Sequence, residues 1–321
     1  MEDVDMKWQG KKVLVTGGTG FVGSHLVEKL VEFGAEVVTT NLLLEPKSYF
    51  VTQKLDEQVA VADVDITDFE ALHDLITKTE PEYIFHLAAQ ALVDVAYYNP
   101  RRTLDSNIMG TVNVLESARL YPRIKGIVVA SSDKAYGKTN QKKYMEETPL
   151  QGDHPYEVSK SAADLICYSY FKTYGVPVTV SRFGNIYGEG DLNTSRIIPG
   201  VLLALVRGET LQIRSDGKMV RDYLYVKDVV EGYLRLAEKI EQTQGEAYNF
   251  GSNETLTVLQ VVKMLESSLG KKIAYKILNQ AKNEIPYQSL NYDKVKRTLS
   301  WTPKNSISVT AKRMYEWYAK V

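Results

Sequence analysis

Residues 13–40 restrict the fold more tightly than any other stretch. Val13-Leu14-Val15 is a short strand-forming run that ends in GGTGFVG, and a helical pattern follows from Ser24 to Phe33. Gly34 stops that helix, and Glu36 to Thr40 resumes as a second strand. Strand, glycine turn, helix and strand within about thirty residues make the βαβ unit that binds dinucleotides. Gly17, Gly20 and Gly23 form a GxxGxxG pattern. Glycine lets the backbone turn tightly and approach a pyrophosphate, whose charge then sits at the N-terminus of the next helix. Gly17, Gly20, Phe21 and Val22 are therefore candidate cofactor contacts. An ordinary tight turn is the competing reading, and the strand-to-helix setting argues against it.

The pattern continues in the same alternation. Val59–Ala62 and Tyr83–Leu87 read as strands, with a helix around Phe69–Thr77 between them. Helix follows at 105–120, strand at 126–131, helix at 156–173 and strand at 176–182. Alternating strands and helices imply an α/β fold of the Rossmann type, a doubly wound parallel sheet. From Phe183 the texture turns to glycine-rich polar loop, GNIYGEGDLNTSR. After it come a helix at 257–269, a strand at 272–277, an irregular stretch and a helix at 307–319. The expected division is a dinucleotide-binding domain over 1–182 and a smaller mixed α/β substrate domain over 183–321, partly interleaved with the first.

The second strand of such a unit normally ends in an acid that holds the adenosine ribose of NAD. Here Thr39-Thr40-Asn41 stands there, and the first cation beyond is Lys47. Asn41 can bond a ribose hydroxyl but does not repel a phosphate, so NAD is preferred and NADP is not excluded. Asp63 and Asp65-Ile66 follow the third strand, where a carboxylate can accept from an adenine amino group; a helix N-cap with Thr67-Asp68 is the alternative, most of all for Asp68. His86-Leu87-Ala88-Ala89-Gln90 ends the fourth strand with the small residues that a close-lying cofactor needs. Leu87, Ala88 and Ala89 are counted as cofactor contacts and Gln90 as a substrate contact. His86 itself reads better as a core histidine than as a catalytic one. Asn107 serves equally as a structural residue or as one that positions active-site backbone.

Between Ile127 and Lys160 lie IVVA, SSDKAYG and YEVSK. With 156–160 helical, the i, i+4 spacing puts the Tyr156 phenol and the Lys160 ammonium on one face. A nearby cation favours the phenolate, so Tyr156 is expected to act as a base at moderate pH. Ser132, Asp133 and Lys134 set a hydroxyl, a carboxylate and an amine just past a strand, at the sheet edge where ligands bind. A plain surface turn is the bland alternative for the Asp133-Lys134 pair.

Composition narrows the classes. Net charge is −1, with 25% charged and 44% hydrophobic residues, which gives no electrostatic case for nucleic acid or anionic membrane. The longest apolar runs, such as VLLALV at 201–206, are too short to span a bilayer. MEDVDMKWQGKK has no apolar signal region. Cys167 is the single cysteine, so no internal disulfide forms, and ICYSY places it in a helix interior. His25, His73, His86 and His154 lack metal-ligand spacing, so no metal is expected. The expected location is cytoplasmic.

GGTGFVG, the DIT at 65–67, HLAAQ, SSDKAYG, YEVSK and RDYLYVKDVV occur in order over residues 11–318. Together they make the chain resemble the extended short-chain dehydrogenase/reductases, in their nucleotide-sugar epimerase/dehydratase branch. That resemblance implies that Tyr156 is a base with Lys160 as its cationic partner, and that Ser132 bonds the sugar 4-hydroxyl. It implies that Asn185 and Arg221 hold the nucleotide diphosphate; Arg196 and Arg214 are weaker candidates, since exposed arginines are more often solvated surface. Asp133-Lys134 is similar to the 4,6-dehydratases, the DK form to those acting on CDP-glucose or UDP-N-acetylglucosamine, whereas epimerases carry small residues there. The insert after SSDKAYG is shorter than the dehydratase pattern leads one to expect. In a dehydratase, Lys134 as a neutral, desolvated amine removes the carbon-5 proton, and Asp133, kept protonated by apolar surroundings, protonates the departing 6-hydroxyl. The expected activity is an NDP-hexose 4,6-dehydratase; a 4-epimerase is the rival, and a dinucleotide-binding sensor without turnover a third reading. Relatives pair through the helices at 105–120 and 156–173, so a homodimer is expected. Leu165, Tyr168 and Phe171 suit that interface, or equally a core within one chain.

Overall fold

The computed structural model describes residues 7–139, 141–280 and 285–321. In chain order its strands are Lys12–Thr16 (β1), Glu36–Asn41 (β2), Ala60–Asp63 (β3), Tyr83–His86 (β4), Gly126–Ala130 (β5) and Val178–Phe183 (β6). Then come Asn185–Tyr187 (β7), Leu211–Ile213 (β8), Val220–Tyr225 (β9), Ala247–Phe250 (β10), Thr255–Thr257 (β11) and Tyr275–Ile277 (β12). The order β3-β2-β1-β4-β5-β6-β10 makes one seven-stranded sheet, parallel throughout.

A parallel sheet needs both faces covered. β1 supplies one residue set to each: Val13 and Val15 meet the helices Phe21–Glu32 and Val226–Glu238 through Leu26, Val27, Leu30 and Val229. Leu14 points the other way, toward Leu72 and Ile76 of the helix Phe69–Thr79 and Val114 and Leu115 of Gly110–Leu120. This is the doubly wound α/β fold expected from the alternation.

After β6 the chain builds a smaller mixed assembly. β9 takes β11 antiparallel on one side and β7 parallel on the other, and β8 pairs with β12. The helices Ile197–Arg207, Val258–Leu269 and Ile307–Tyr318 pack there through Val201, Leu202, Val261, Leu265 and Met314. The 182/183 division falls inside β6, and the later segment returns β10 and the helix Val226–Glu238 to the main sheet and its core.

Three local readings differ from the structure. The helix expected at 105–120 is a composite of Pro100–Leu104, a π-turn over Asp105–Met109 and Gly110–Leu120. The strand at 272–277 shortens to Tyr275–Ile277. The irregular stretch after it holds a helix, Asp293–Leu299, whose Val295 and Leu299 join the main core with Trp301. Three basic residues in those seven, Lys294, Lys296 and Arg297, mask its short apolar face.

Candidate active site

Strand order reverses between β1 and β4, which opens a crevice beyond the carboxyl ends of the strands. The glycine turn lies at that edge. Gly17 has φ of +73°, and a Cβ there would stand 2.8 Å from the backbone of Ala88. A Cβ on Gly23 would come within 2.2 Å of the Gly17 carbonyl, whereas one on Gly20 would meet only that oxygen, at 3.3 Å. Gly20 is thus less confined than Gly17 and Gly23, though still close to that carbonyl. The helix Phe21–Glu32 starts there with no side-chain cap and no acid in its first turn. Its first N–H groups and positive end are left for an anion, as a dinucleotide pyrophosphate requires. Phe21 and Val22 begin that helix, and the Phe21 ring sits edge-on to His25.

The end of β4 is drawn to the turn by Thr16. Leu87 N donates to the Thr16 carbonyl at 3.1 Å and Ala88 N to its hydroxyl at 3.3 Å. His86 is buried between the hydroxyls of Thr16, 2.8 Å, and Thr111, 3.2 Å. Burial pushes its imidazole down to about 3, with the Lys160 charge adding to the effect. It is a neutral core histidine. Asn107, buried in the π-turn, clamps Gln90 by accepting from its N–H at 2.7 Å and donating to its carbonyl at 3.1 Å. The same amide donates to Ser159 Oγ at 2.9 Å. Asn107 thus ties the end of β4 to the helix that carries Tyr156. The Gln90 side chain accepts from Thr103 at 3.0 Å, with Ala89 between it and Ala88.

At the carboxyl ends of β2 and β3, Asn41 donates to Asp63 Oδ1 at 2.9 Å and accepts from Thr19 at 3.3 Å. Asp65 Oδ1 accepts from both the N–H and the hydroxyl of Thr67, while Ile66 is buried. Asp68, and not Asp65, caps the following helix by accepting from Ala71 N.

At the end of β5, Ser132 caps a 3-10 turn, Asp133–Tyr136. Its hydroxyl donates to Asp133 Oδ1 at 2.9 Å and accepts from Lys134 N at 3.2 Å. Asp133 is buried and Lys134 half-buried. The Lys134 amine donates to the Gln288 carboxamide, and Gln288 Nε2 lies 3.4 Å from the Asp133 carbonyl. Local patterns do not reveal Gln288, because it reaches the site from 154 residues away.

Tyr156 and Lys160 stand in the helix Pro155–Tyr174. Burial is the dominant influence on Tyr156 and pushes its phenol up to about 12. The Arg196 charge and a Ser132 hydrogen bond act against that, and Asp133 reinforces it. Proximity to Lys160 does not produce the lowered phenol expected from the spacing. The reason is physical: burial of the phenol outweighs the charges that act on it, and Lys160 Nζ donates to the Ala130 carbonyl at 2.8 Å, its own amine lowered to about 8 by burial against the pull of Asp164. Beneath them Arg182 grips Asp164 with two bonds, 2.8 and 3.1 Å, and Ser131 adds a third at 2.6 Å.

The remaining candidates lie on the C-terminal assembly. Asn185 opens β7 opposite Tyr223, and Arg221 on β9 is buried, with Nη1 donating to the Val220 carbonyl at 2.8 Å. Arg196 pairs with buried Asp191 at 3.1 Å while its charge reaches Tyr156. Arg214 pairs with Asp94 at 3.1 Å, both side chains more than half exposed. Cys167 is buried, and that burial pushes its thiol well up, unlike a nucleophile.

Residues 13–251 match the model of the NAD dependent epimerase/dehydratase family. A CDP-glucose 4,6-dehydratase of Salmonella typhimurium is 32% identical, over 97% of this chain and 91% of that protein. A crystal structure of Thermotoga maritima UDP-glucose 4-epimerase superposes with a TM-score of 0.87 at 32% identity, covering 96% and 98% of the two chains. A Bacillus anthracis dTDP-glucose 4,6-dehydratase, solved in complex with NAD, gives 0.85 at 28% identity, covering 97% of each. The glycine turn, the Ser132 turn and the Tyr156 helix lie within or against this matched frame, and the chain belongs to the NAD-dependent epimerase/dehydratase family of enzymes.

Proposed function

We propose that this enzyme is a nucleotide-sugar 4,6-dehydratase using NAD. The observation that carries the reading is the Asp133-Lys134 pair, set on one turn beside Ser132 and Tyr156 at the end of β5. An epimerase has no use for an added acid and amine there, whereas loss of water needs both. The Salmonella relative supports the same choice and makes CDP-glucose the first substrate to try.

Each side chain then has one task. Ser132 and Tyr156 bond the sugar 4-hydroxyl; the buried phenol rests protonated, and it is as the phenolate, favoured by the Arg196 charge and the Ser132 hydrogen bond, that Tyr156 takes the 4-hydroxyl proton while carbon 4 becomes a ketone. The Gly17–Val22 turn and Leu87–Ala89 would hold NAD, which would supply the acceptor for the carbon-4 hydride and the donor that returns it to carbon 6. The new ketone acidifies the carbon-5 proton, which Lys134 removes and, once carbon 6 has been reduced, gives back to carbon 5. Asp133 gives a proton to the 6-hydroxyl, which leaves as water. Lys160 holds its amine against the Ala130 carbonyl on the helix that carries Tyr156, Asn107 fixes Gln90, and Asn185, Arg221 and Arg196 bind the nucleotide diphosphate. Exposed Leu165 and Tyr168 support pairing of two copies through this helix, whereas Phe171 packs inward against Gly245.

The test is incubation with a panel of CDP-, dTDP-, GDP- and UDP-hexoses, followed by mass spectrometry. Loss of one water from one member supports the reading and names the substrate. A new isomer of unchanged mass replaces it with the epimerase reading, which the Thermotoga structure favours.

A further inference from the structure

We infer that Asp63, on β3, supplies the charge that selects NAD over NADP, in place of an acid at the end of β2. The inference rests on the reading of the glycine turn as a dinucleotide site.

The end of β2 is where an acid normally meets the adenosine ribose. This chain has neutral Asn41 there, which by itself discriminates weakly. Asn41 and Asp63 are register partners across the β2–β3 pairing. The Asn41 amide nitrogen donates to Asp63 Oδ1 at 2.9 Å, and its oxygen accepts from Thr19 Oγ1 at 3.3 Å. A carboxylate only accepts, so the amide orientation is fixed with its nitrogen toward Asp63. Thr19 belongs to the glycine turn, so Asn41 bridges the pyrophosphate end of the site to the Asp63 carboxylate.

Asp63 is exposed at the strand end, where a ribose 2′-hydroxyl can donate to it. A 2′-phosphate would face like charge at the same place. Cations that might offset this are engaged elsewhere. Lys47 Nζ donates to the Val321 carbonyl at 2.8 Å, and Lys54 pairs with Glu57. The other charged groups beyond β3, Asp65 and Asp68, share the sign of Asp63. The neutrality of Asn41 follows: an aspartate there would set two carboxylates at hydrogen-bond distance, which one proton would have to bridge. Asn41→Asp therefore does not sharpen the preference for NAD in the simple way that its position at the end of β2 implies.

The experiment is native mass spectrometry of the full chain equilibrated with equimolar NAD and NADP. Wild type should carry mainly NAD. Asp63→Asn keeps an acceptor for the Asn41 amide and removes only the charge; its NAD-to-NADP occupancy ratio should fall about tenfold or more. Asp63→Glu should keep the wild-type preference. A wild type that carries NAD, with an unchanged ratio in Asp63→Asn, overturns the assignment of Asp63. A wild type that takes up neither dinucleotide overturns the reading of the glycine turn along with it.

Discussion

The Gln288 carboxamide oxygen accepts a hydrogen bond from the Lys134 amine, while its nitrogen lies 3.4 Å from the Asp133 carbonyl. One fully buried side chain thus leans on the Lys134 amine and on the backbone of Asp133. Gln288→Leu keeps similar bulk and removes both contacts. We expect kcat to fall about ten- to hundredfold with KM little changed, as for a lost positioning contact. Lys134→Ala should abolish water loss and also deuterium uptake at carbon 5 from heavy water. Normal product from Lys134→Ala would remove that lysine from the reaction.

Tyr156→Phe keeps the ring and deletes the proton acceptor. Turnover should drop at least about a hundredfold, the scale of a positioned acid or base, while NAD binding by calorimetry stays within error of wild type. Substantial residual turnover would pass the role of base to another group.

Lys160 carries a pH signature. Its amine is lowered to about 8 by burial, so below that pH the folded protein holds a poorly solvated charge. Between about 8 and the unfolded value of 10.5 the unfolded chain binds more protons, and stability contributed through this group rises with pH. Below pH 8 the penalty is full, on the order of 3 kcal/mol. Lys160→Met should show higher stability than wild type at pH 7 in urea titrations, with the difference shrinking toward pH 10. A difference independent of pH would show that the amine does not titrate in that window.

Asp164 and Arg182 form a buried pair, 3% and 6% exposed. Breaking it strands a guanidinium charge, so Asp164→Ala should cost about 3–5 kcal/mol in denaturant unfolding. The replacement should be much milder when Arg182→Met accompanies it. Equal losses in the single and double variants would mean that the pair is not the source.

The order of β1 to β6 and of their longer helices was legible because those elements carry their own period, with Gly34 and Gly175 marking two of the helix ends, whereas the short helices Tyr49–Thr52 and Val93–Tyr98 were too brief to show one. The residues of the candidate site that follow strand ends, Gly17, Ala88 and Ser132, were legible for the same reason. What the sequence hid is long-range or environmental. Gln288 and the Tyr144–Leu290 bridge depend on contacts across more than a hundred residues. The π-turn at Asp105–Met109 looks like ordinary helix in its composition. The Tyr156 phenol moved upward because burial outweighs charge proximity, and burial belongs to the whole fold. Asp63 was visible as a carboxylate after a strand, but its link to Asn41 needed the β2–β3 register.

The return of β10 to the main sheet also sets a timetable for synthesis. A nascent chain that has emerged only through Phe183 has β6 as an unpaired edge and lacks the helix Val226–Glu238 that covers one face. Such an edge invites pairing with other chains. The cofactor-binding half therefore cannot close behind the ribosome as an early, separate unit. It must wait for about seventy more residues, at translation speeds a matter of several seconds, during which the edge of β6 stays open to pairing with another chain.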